Sequence, residues 1–296
     1  MDIIKIEHLT RNYGSNRGVF DLSLTIKKGE VFGFLGPNGA GKSTTIRHLM
    51  GFLKPQKGTC SINALDCWHD RSKIQQTLGY IPGEISFFDD MTGTNFLKFI
   101  KKYRGTPETN RMNELMERFD LDPNHKLKKM SKGTKQKVGI IAAFMHDPDV
   151  IILDEPTSGL DPLMQNRFIE LVLDEEKRGK TILMSSHMFE EVERTCHRVA
   201  IIKDGTLVVN DSVNALRDAR TKRYTITFDS NADALAFSKE NLTIQSISKN
   251  RVTVVIGNDL HSLIAIMNRY FVTNISTPKQ SLEELFMQYY GGDNNV

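Results

Sequence analysis

The sequence predicts an α/β protein: a mostly parallel sheet with helical cover, an antiparallel β region, a helical insertion, and a small α/β unit at the C-terminal end. Three observations carry this reading. The glycine-rich run Gly36-Pro37-Asn38-Gly39-Ala40-Gly41-Lys42-Ser43-Thr44 sits between an apolar strand-like stretch and a helical pattern of Ile46, Leu49, Met50 and Leu53. Val150-Ile151-Ile152-Leu153 is apolar throughout, as in a parallel strand covered on both faces. Strand-like and helix-like segments alternate until about residue 210, and beyond a polar connector the pattern restarts.

In chain order, residues 1–35 read as β-rich. Phe20, Leu22, Leu24 and Ile26 alternate with Asp21, Ser23 and Thr25, as in a half-buried strand. Lys27-Lys28-Gly29-Glu30 turns the chain into the strand Val31-Phe32-Gly33-Phe34-Leu35 that feeds the glycine-rich run. Residues 51–72 read as loop and short strands around Lys54-Pro55-Gln56-Lys57-Gly58, and Leu78-Gly79-Tyr80-Ile81-Pro82 as a brief strand. From about 91 to 147 the pattern is helical. Phe96, Phe99, Ile100 and Tyr103 share one face of a first helix, Leu115, Met116 and Phe119 mark a second, and Val138, Ile141, Ala142 and Met145 a third.

The apolar strand 150–153 ends in Asp154-Glu155-Pro156, and Thr181-Ile182-Leu183-Met184 ends in Ser185-Ser186-His187. Val199-Ala200-Ile201-Ile202 and Leu207-Val208-Val209 flank Asp204-Gly205, the signal of a type I′ hairpin. Residues 211–223 read as a connector. Then Tyr224, Ile226 and Phe228 alternate as a strand, a helix follows near 232–241, and Lys249-Asn250 turns a hairpin into the strand 252–256. Leu260, Leu263, Ile264 and Met267 make an amphipathic helix, with a strand at 271–275. A last helix carries Leu282, Leu285, Phe286 and Tyr289 on one face, opened by Ser281 and Glu284 at capping-box spacing.

The glycine-rich run fits Gly-x-x-x-x-Gly-Lys-Ser/Thr, a phosphate-cradling loop. Gly36, Gly39 and Gly41 let successive amide hydrogens point into one hollow, and the helix N-terminus that follows faces the same anion. Asn38, Ala40 and Thr44 belong to the same expected contact surface. Lys42 would reach the terminal phosphates and Ser43 would hold Mg²⁺. Asp154, at the end of a strand, is where a Mg²⁺-organising carboxylate belongs. Glu155 beside it is placed to accept a proton from water attacking a γ-phosphate. No Asn-Lys-x-Asp occurs, so nothing specifies guanine. Tyr13, in a polar stretch, is an aromatic able to stack on a base.

Bulk composition excludes several classes. The 296 residues allow about two domains. A net charge of +3 gives no argument for nucleic acid as a partner. Cys60, Cys67 and Cys196 form no Cys-x-x-Cys pair, and the first residues show no basic-then-apolar signal pattern, so a reduced, cytoplasmic chain is expected. No apolar run approaches the ~20 residues that cross a bilayer. A membrane role would need a second, membrane-spanning chain.

Met130-Ser131-Lys132-Gly133-Thr134-Lys135-Gln136, upstream of Asp154-Glu155, resembles the signature of the ABC-type ATPases. The resemblance spans residues 1–220 as an ATP-binding domain of the ABC-type P-loop fold, with a helical insertion at about 86–147. Residues 221–296 form a separate small domain resembling a C-terminal extension of the exporter branch. It implies ATP and Mg²⁺ as cofactors, Tyr13 as the adenine-stacking aromatic, and His187 as the switch histidine at the γ-phosphate. Asp161 falls in the D-loop match Ser158-Gly159-Leu160-Asp161. Ser131 and Gly133 would cap nucleotide held by a second copy, so two chains would meet head-to-tail as a homodimer. A separate transmembrane permease would hold the pair on the cytoplasmic face of the membrane.

Two departures stand out. The family's glutamine after the 78–82 strand is replaced by Gly83, followed by Glu84. Thr134 and Lys132 replace a glutamine and a glycine of the usual signature. Signatures of this kind resemble the exporter branch that moves drugs, antibiotic peptides, lipids or sodium. Phe87-Phe88 either joins a groove for the permease or packs under the helical insertion. The alternatives are a soluble ABC ATPase serving translation or DNA maintenance, and an ATP-sensing module with little turnover.

Overall fold

The computed structural model describes residues 1–15, 17–88, 90–105, 110–218, 222–256 and 260–277. The chain divides into two compact units, Met1–Asn214 and Ala215–Val296.

In the first unit the elements run β1 (Asp2–Asn12), β2 (Gly18–Lys27), β3 (Val31–Leu35), α1 (Lys42–Leu49), β4 (Lys57–Ile62), β5 (Leu65–Asp66), α2 (Arg71–Thr77), β6 (Leu78–Ile81), α3 (Gly93–Tyr103), α4 (Arg111–Arg118) and α5 (Lys132–Phe144). They continue β7 (Val150–Asp154), α6 (Pro162–Lys177), β8 (Thr181–Ser186), α7 (Phe189–Thr195), β9 (Arg198–Lys203) and β10 (Thr206–Ser212); α8 (Val213–Asp218) crosses the division. One sheet has the order β2-β1-β4-β5 and is antiparallel. The other has the order β10-β9-β3-β8-β7-β6, parallel from β9 through β6, with β10 antiparallel at its edge.

The burial pattern explains this arrangement. Every residue of β3, β7 and β8 is buried, as expected of strands covered on both faces, whereas β2 alternates. Ile46 and Leu49 of α1 share one buried cluster with Ile4, Leu22, Phe34 and Ile152. Parallel pairing brings the strand ends to one edge: Leu35 lies opposite Ser186, Asp154 opposite Ser185, and Ile81 opposite Leu153. The segments that follow Leu35, Ile81, Asp154 and Ser186 therefore emerge side by side.

The helical insertion comprises α3, α4 and α5. Thr92 caps α3, its side chain accepting from the Asn95 amide. Arg111 of α4 and Arg178 hold the buried carboxylate of Glu175 on α6. The face expected of α3 is not the one it buries. Leu97 is buried, while Phe99 is 45% and Tyr103 80% exposed. The helix docks through fewer apolar positions than its aromatic content implies. Two further expectations are corrected. Residues 71–77 form α2, where no helix was expected. The stretch 211–223 is no plain connector, since it contains the end of β10, helix α8 and the start of β11 (Lys222–Phe228). The Asp204-Gly205 turn has both residues at positive φ, 48 and 79, as a type I′ hairpin requires.

The second unit runs β11, α9 (Asn231–Phe237), β12 (Thr243–Ser248), β13 (Arg251–Ile256), α10 (Leu260–Met267) and β14 (Val272–Ser276). Its antiparallel sheet has the order β12-β13-β11-β14, a β-α-β-β-α-β arrangement of ferredoxin type. Ile226, Phe228, Phe237, Val252, Val254 and Leu263 form its core, with Tyr270 edge-on to Phe228 and Phe237. The helix expected on Leu282, Leu285, Phe286 and Tyr289 lies outside the described residues.

Candidate nucleotide site

The glycine-rich loop leaves β3 at Gly36 and enters α1 at Lys42. Gly36 is glycine because the backbone of a neighbouring strand passes too close for a side chain: a Cβ there would lie 2.6 Å from the Ile202 carbonyl oxygen. Gly41 caps α1 at φ 115, a conformation that costs glycine little. Pro37, Asn38 and Gly39 form the exposed crest, and Ala40 is buried beneath it. The Thr44 carbonyl accepts a bond from His48 Nδ1 at 2.8 Å, inside the first turn of the helix.

Lys42 is only 5% exposed and folds back over its own loop. Its Nζ donates to the carbonyls of Gly36 at 2.7 Å and Pro37 at 3.2 Å, and lies 3.3 Å from Glu155 Oε1. This holds one cation at the loop, between two of its carbonyl oxygens and the Glu155 carboxylate.

Asp154 closes β7 with 3% exposure, and its Oδ1 accepts from Ser185 Oγ at 2.6 Å. Burial, with the Asp154 carboxylate beside it, pushes the Tyr80 hydroxyl up to about 12. Gly83 sits against the same carboxylate, where a Cβ would meet Asp154 Oδ2 at 3.0 Å. The next residue, Glu155, adopts φ 49, the left-handed region that costs a residue with a Cβ on the order of 1–3 kcal/mol. Ser185 holds it there, accepting the Glu155 amide hydrogen at its hydroxyl, 3.1 Å away. The sharp turn aims the Glu155 side chain back over the strand ends, where Oε2 lies 3.3 Å from His187 Nδ1. The Glu155 carboxylate is thus held between a lysine and a histidine at the strand ends.

A cavity of about 700 Å³ opens at this edge, lined by Asn38, Ser43, Arg47, Phe52, Tyr80, Gly83, Glu84, Asp154 and Glu155 among others. Its donors are a hydroxyl and carboxylates, hard oxygen ligands that fit Mg²⁺ shared with phosphate oxygens. No cluster of three or more His, Cys, Asp or Glu able to hold a metal alone occurs among the described residues.

The structure thus brings together residues 36–44, Asp154, Glu155 and His187. Tyr13 follows β1, half exposed, with the Arg11 guanidinium 5.2 Å from its ring centre. Ser131 and Gly133 do not line the cavity. Ser131 caps the exposed N-terminus of α5, accepting from the Thr134 amide at 3.1 Å. A Cβ on Gly133 would lie 2.6 Å from the Gly159 carbonyl oxygen, Lys132 Nζ donates to Ser158 Oγ at 2.8 Å, and Gln136 Nε2 to the Pro156 carbonyl at 2.7 Å. Asp161 caps α6, accepting from the Met164 amide at 3.0 Å. The signature residues are therefore joined to the segment that follows Glu155.

Sequence reasoning missed Ser185, which anchors both Asp154 and Glu155. Its only signal was a hydroxyl residue ending an apolar strand two positions before His187.

A family model described as ABC transporter matches residues 19–158. The bacitracin transport ATP-binding protein BcrA of Bacillus licheniformis is 32% identical over 98% of both chains. A solved ATP-binding subunit of an ABC transporter superposes with a TM-score of 0.68 at 30% identity, covering 73% of this chain and 92% of its own. A dimeric bacterial ABC transporter cassette, MJ0796, shares the fold with a TM-score of 0.65 at 23% identity, over 71% of this chain and 99% of its own. No described helix is long and apolar enough to cross a membrane. With the phosphate loop, the Asp-Glu strand end and the signature in order on this fold, the chain belongs to the ATP-binding subunits of ABC transporters, ATPases that power transport through a membrane partner.

Proposed function

We propose that this subunit binds MgATP between residues 36–44 and Asp154, pairs head-to-tail with a second copy, and drives export through a separate permease on the cytoplasmic face of the membrane. The observation that carries the pairing is the position of the signature. Ser131 and Gly133 present an exposed helix N-terminus outside the cavity that the phosphate loop lines. A second copy turned by two-fold symmetry would supply that anion-binding end to each site. Lys42 grips the terminal phosphates, Ser43 and Asp154 hold Mg²⁺, Tyr13 stacks on adenine, His187 contacts the γ-phosphate, and Asp161 belongs to the facing segment. Glu155 is the general base. Bound Mg²⁺ would neutralise phosphate charge; the residues of this chain position water and accept its proton.

The permease surface lies on α3 and its approach. Phe88 is 60% exposed and packs edge-on to Phe99, and Phe99 stacks on Tyr103. Phe87 instead packs against Phe96, ring centres 4.8 Å apart, and is half-buried where its neighbour Phe88 is exposed. Phe52 and Tyr80 line both the nucleotide cavity and a second cavity that reaches Tyr103. A cytoplasmic helix of the permease laid in this groove would touch the walls of the ATP site. Antibiotic export is the reading favoured by the bacitracin-transport relative.

The experiment is size-exclusion chromatography of Glu155→Gln with and without MgATP. The variant is expected to elute as a dimer with MgATP and to hydrolyse it at least ~100-fold more slowly than wild type. Wild-type turnover would remove Glu155 as the base, and a monomer at saturating MgATP would remove the paired site.

A further inference from the structure

Behind the nucleotide site lies a carboxyl group that none of these roles uses. Glu191, on α7, is 3% exposed. Its Oε2 accepts from Ser186 Oγ at 2.9 Å, and that hydroxyl oxygen in turn takes the Met188 amide hydrogen at 2.8 Å. Ser186 and Met188 bracket His187. The other carboxyl oxygen, Oε1, is enclosed and has no partner in hydrogen-bonding geometry. The buried Thr157 hydroxyl approaches the carboxyl from the segment after Glu155 without closing a well-formed bond.

We propose that Glu191 is a positioning residue for hydrolysis: by spanning from Ser186 to Thr157 it fixes how His187 meets the Glu155 carboxylate. The proposal rests on the roles given to Glu155 and His187 above.

Three features set this group apart from ordinary packing. It touches the residue before His187 and faces the residue two after Glu155, so it joins the two loops that carry the reactive pair. An enclosed, unbonded carboxyl oxygen is costly as an anion and tolerable as a neutral acid, which has a proton to donate. Burial holds the Glu191 carboxyl above its ordinary range and the Glu155 carboxylate pushes it the same way, while Ser186, Thr157 and a charged His187 oppose them. The Cys196 thiol next to α7, held up to about 12 mainly by burial, brings no charge of its own. Ionising Glu191 therefore sets a second anion beside Glu155.

The test is the pH dependence of ATP hydrolysis by the full chain, for wild type, E191A and E191Q, with ADP affinity measured by calorimetry. E191A is expected to lose ~10-fold or more in kcat with KM and ADP affinity within ~3-fold, the pattern of a lost transition-state arrangement. E191Q, which keeps an oxygen able to accept from Ser186 but has no carboxyl proton to lose, is expected to recover most of that loss and to show a flatter pH profile than wild type. Wild-type kcat in E191A, or a pH profile in E191Q identical to wild type, would overturn the proposal. E155Q separates the two levels. If E155Q hydrolyses normally, the reading of the base fails. If E155Q is inactive and both Glu191 variants behave as wild type, only the positioning role fails.

Discussion

Lys42 Nζ lies 3.3 Å from Glu155 Oε1, so the cation proposed for phosphate is paired with the carboxylate proposed for water. On those roles, polyphosphate entering the loop would compete for that cation and release Glu155. Binding and arming of the base would in this way be one rearrangement.

Lys42→Ala removes the charge and leaves Glu155 facing the incoming phosphates. Nucleotide affinity should fall by roughly 10–100-fold, given about 1.5–3 kcal/mol for a hydrogen bond to a charged group. Isothermal titration with ATP checks this, and unchanged affinity would refute the phosphate role.

At Gly83 the chain lacks the glutamine expected of its family, and the contact with Asp154 gives a physical reason why none is accommodated without movement. A Cβ at this position would press on Asp154 Oδ2, while Ser185 holds the other oxygen of the same carboxylate, Oδ1. Glu84 is the next side chain, and it lines the cavity with Ser43 and Asp154. Glu84→Ala should reduce hydrolysis several-fold and raise the Mg²⁺ concentration needed for half-maximal rate. If neither changes, Glu84 does not stand in for the missing glutamine.

The aromatic surface of α3 makes a separate prediction. Changing Phe99 and Tyr103 together to serine should leave ATPase activity of the isolated subunit within about 2-fold, since both side chains are exposed and surface changes are usually small in effect. Recovery of the permease when the tagged subunit is purified from membranes should drop sharply. Undiminished co-purification would place the docking surface elsewhere.

His146 sets an acid limit on stability. Its Nε2 lies 3.0 Å from Arg104 Nη1, and burial, with the Arg104 cation, holds the ring down to about 4 against 6.5 for an ordinary histidine. Above 6.5 the group is neutral in both folded and unfolded chains, and its contribution is complete. Between 6.5 and about 4 only the unfolded chain takes up the proton, so stability falls as pH falls. The loss at the acid end is on the order of 3 kcal/mol. His146→Asn should flatten this part of the curve in urea titrations at pH 7 and pH 5; an unchanged slope would mean another group dominates.

The parallel strands were legible because residues 31–35, 150–153 and 182–184 contain no polar side chain, and the phosphate loop because few other uses of three glycines and a lysine fit between strand and helix. The role of Ser185 was not legible, since its partners lie across the sheet from it in another strand. The left-handed turn at Glu155 left no mark either, because glutamate is not a residue that advertises positive φ. On α3, helical spacing identified the face shared by the aromatics but not whether that face is covered. Phe99 and Tyr103 share a face with the half-buried Phe96 and Ile100 and are yet exposed. Periodicity reports which residues share a face; only the neighbouring elements decide what that face meets.

The backbone contact between Gly133 and Gly159 leaves no slack between the start of α5 and the segment after Glu155. The part of the subunit proposed to sense its own γ-phosphate and the part proposed to clasp a neighbour's therefore lie main chain against main chain. In a head-to-tail pair, a shift at one site would be felt at the lid of the other through that contact.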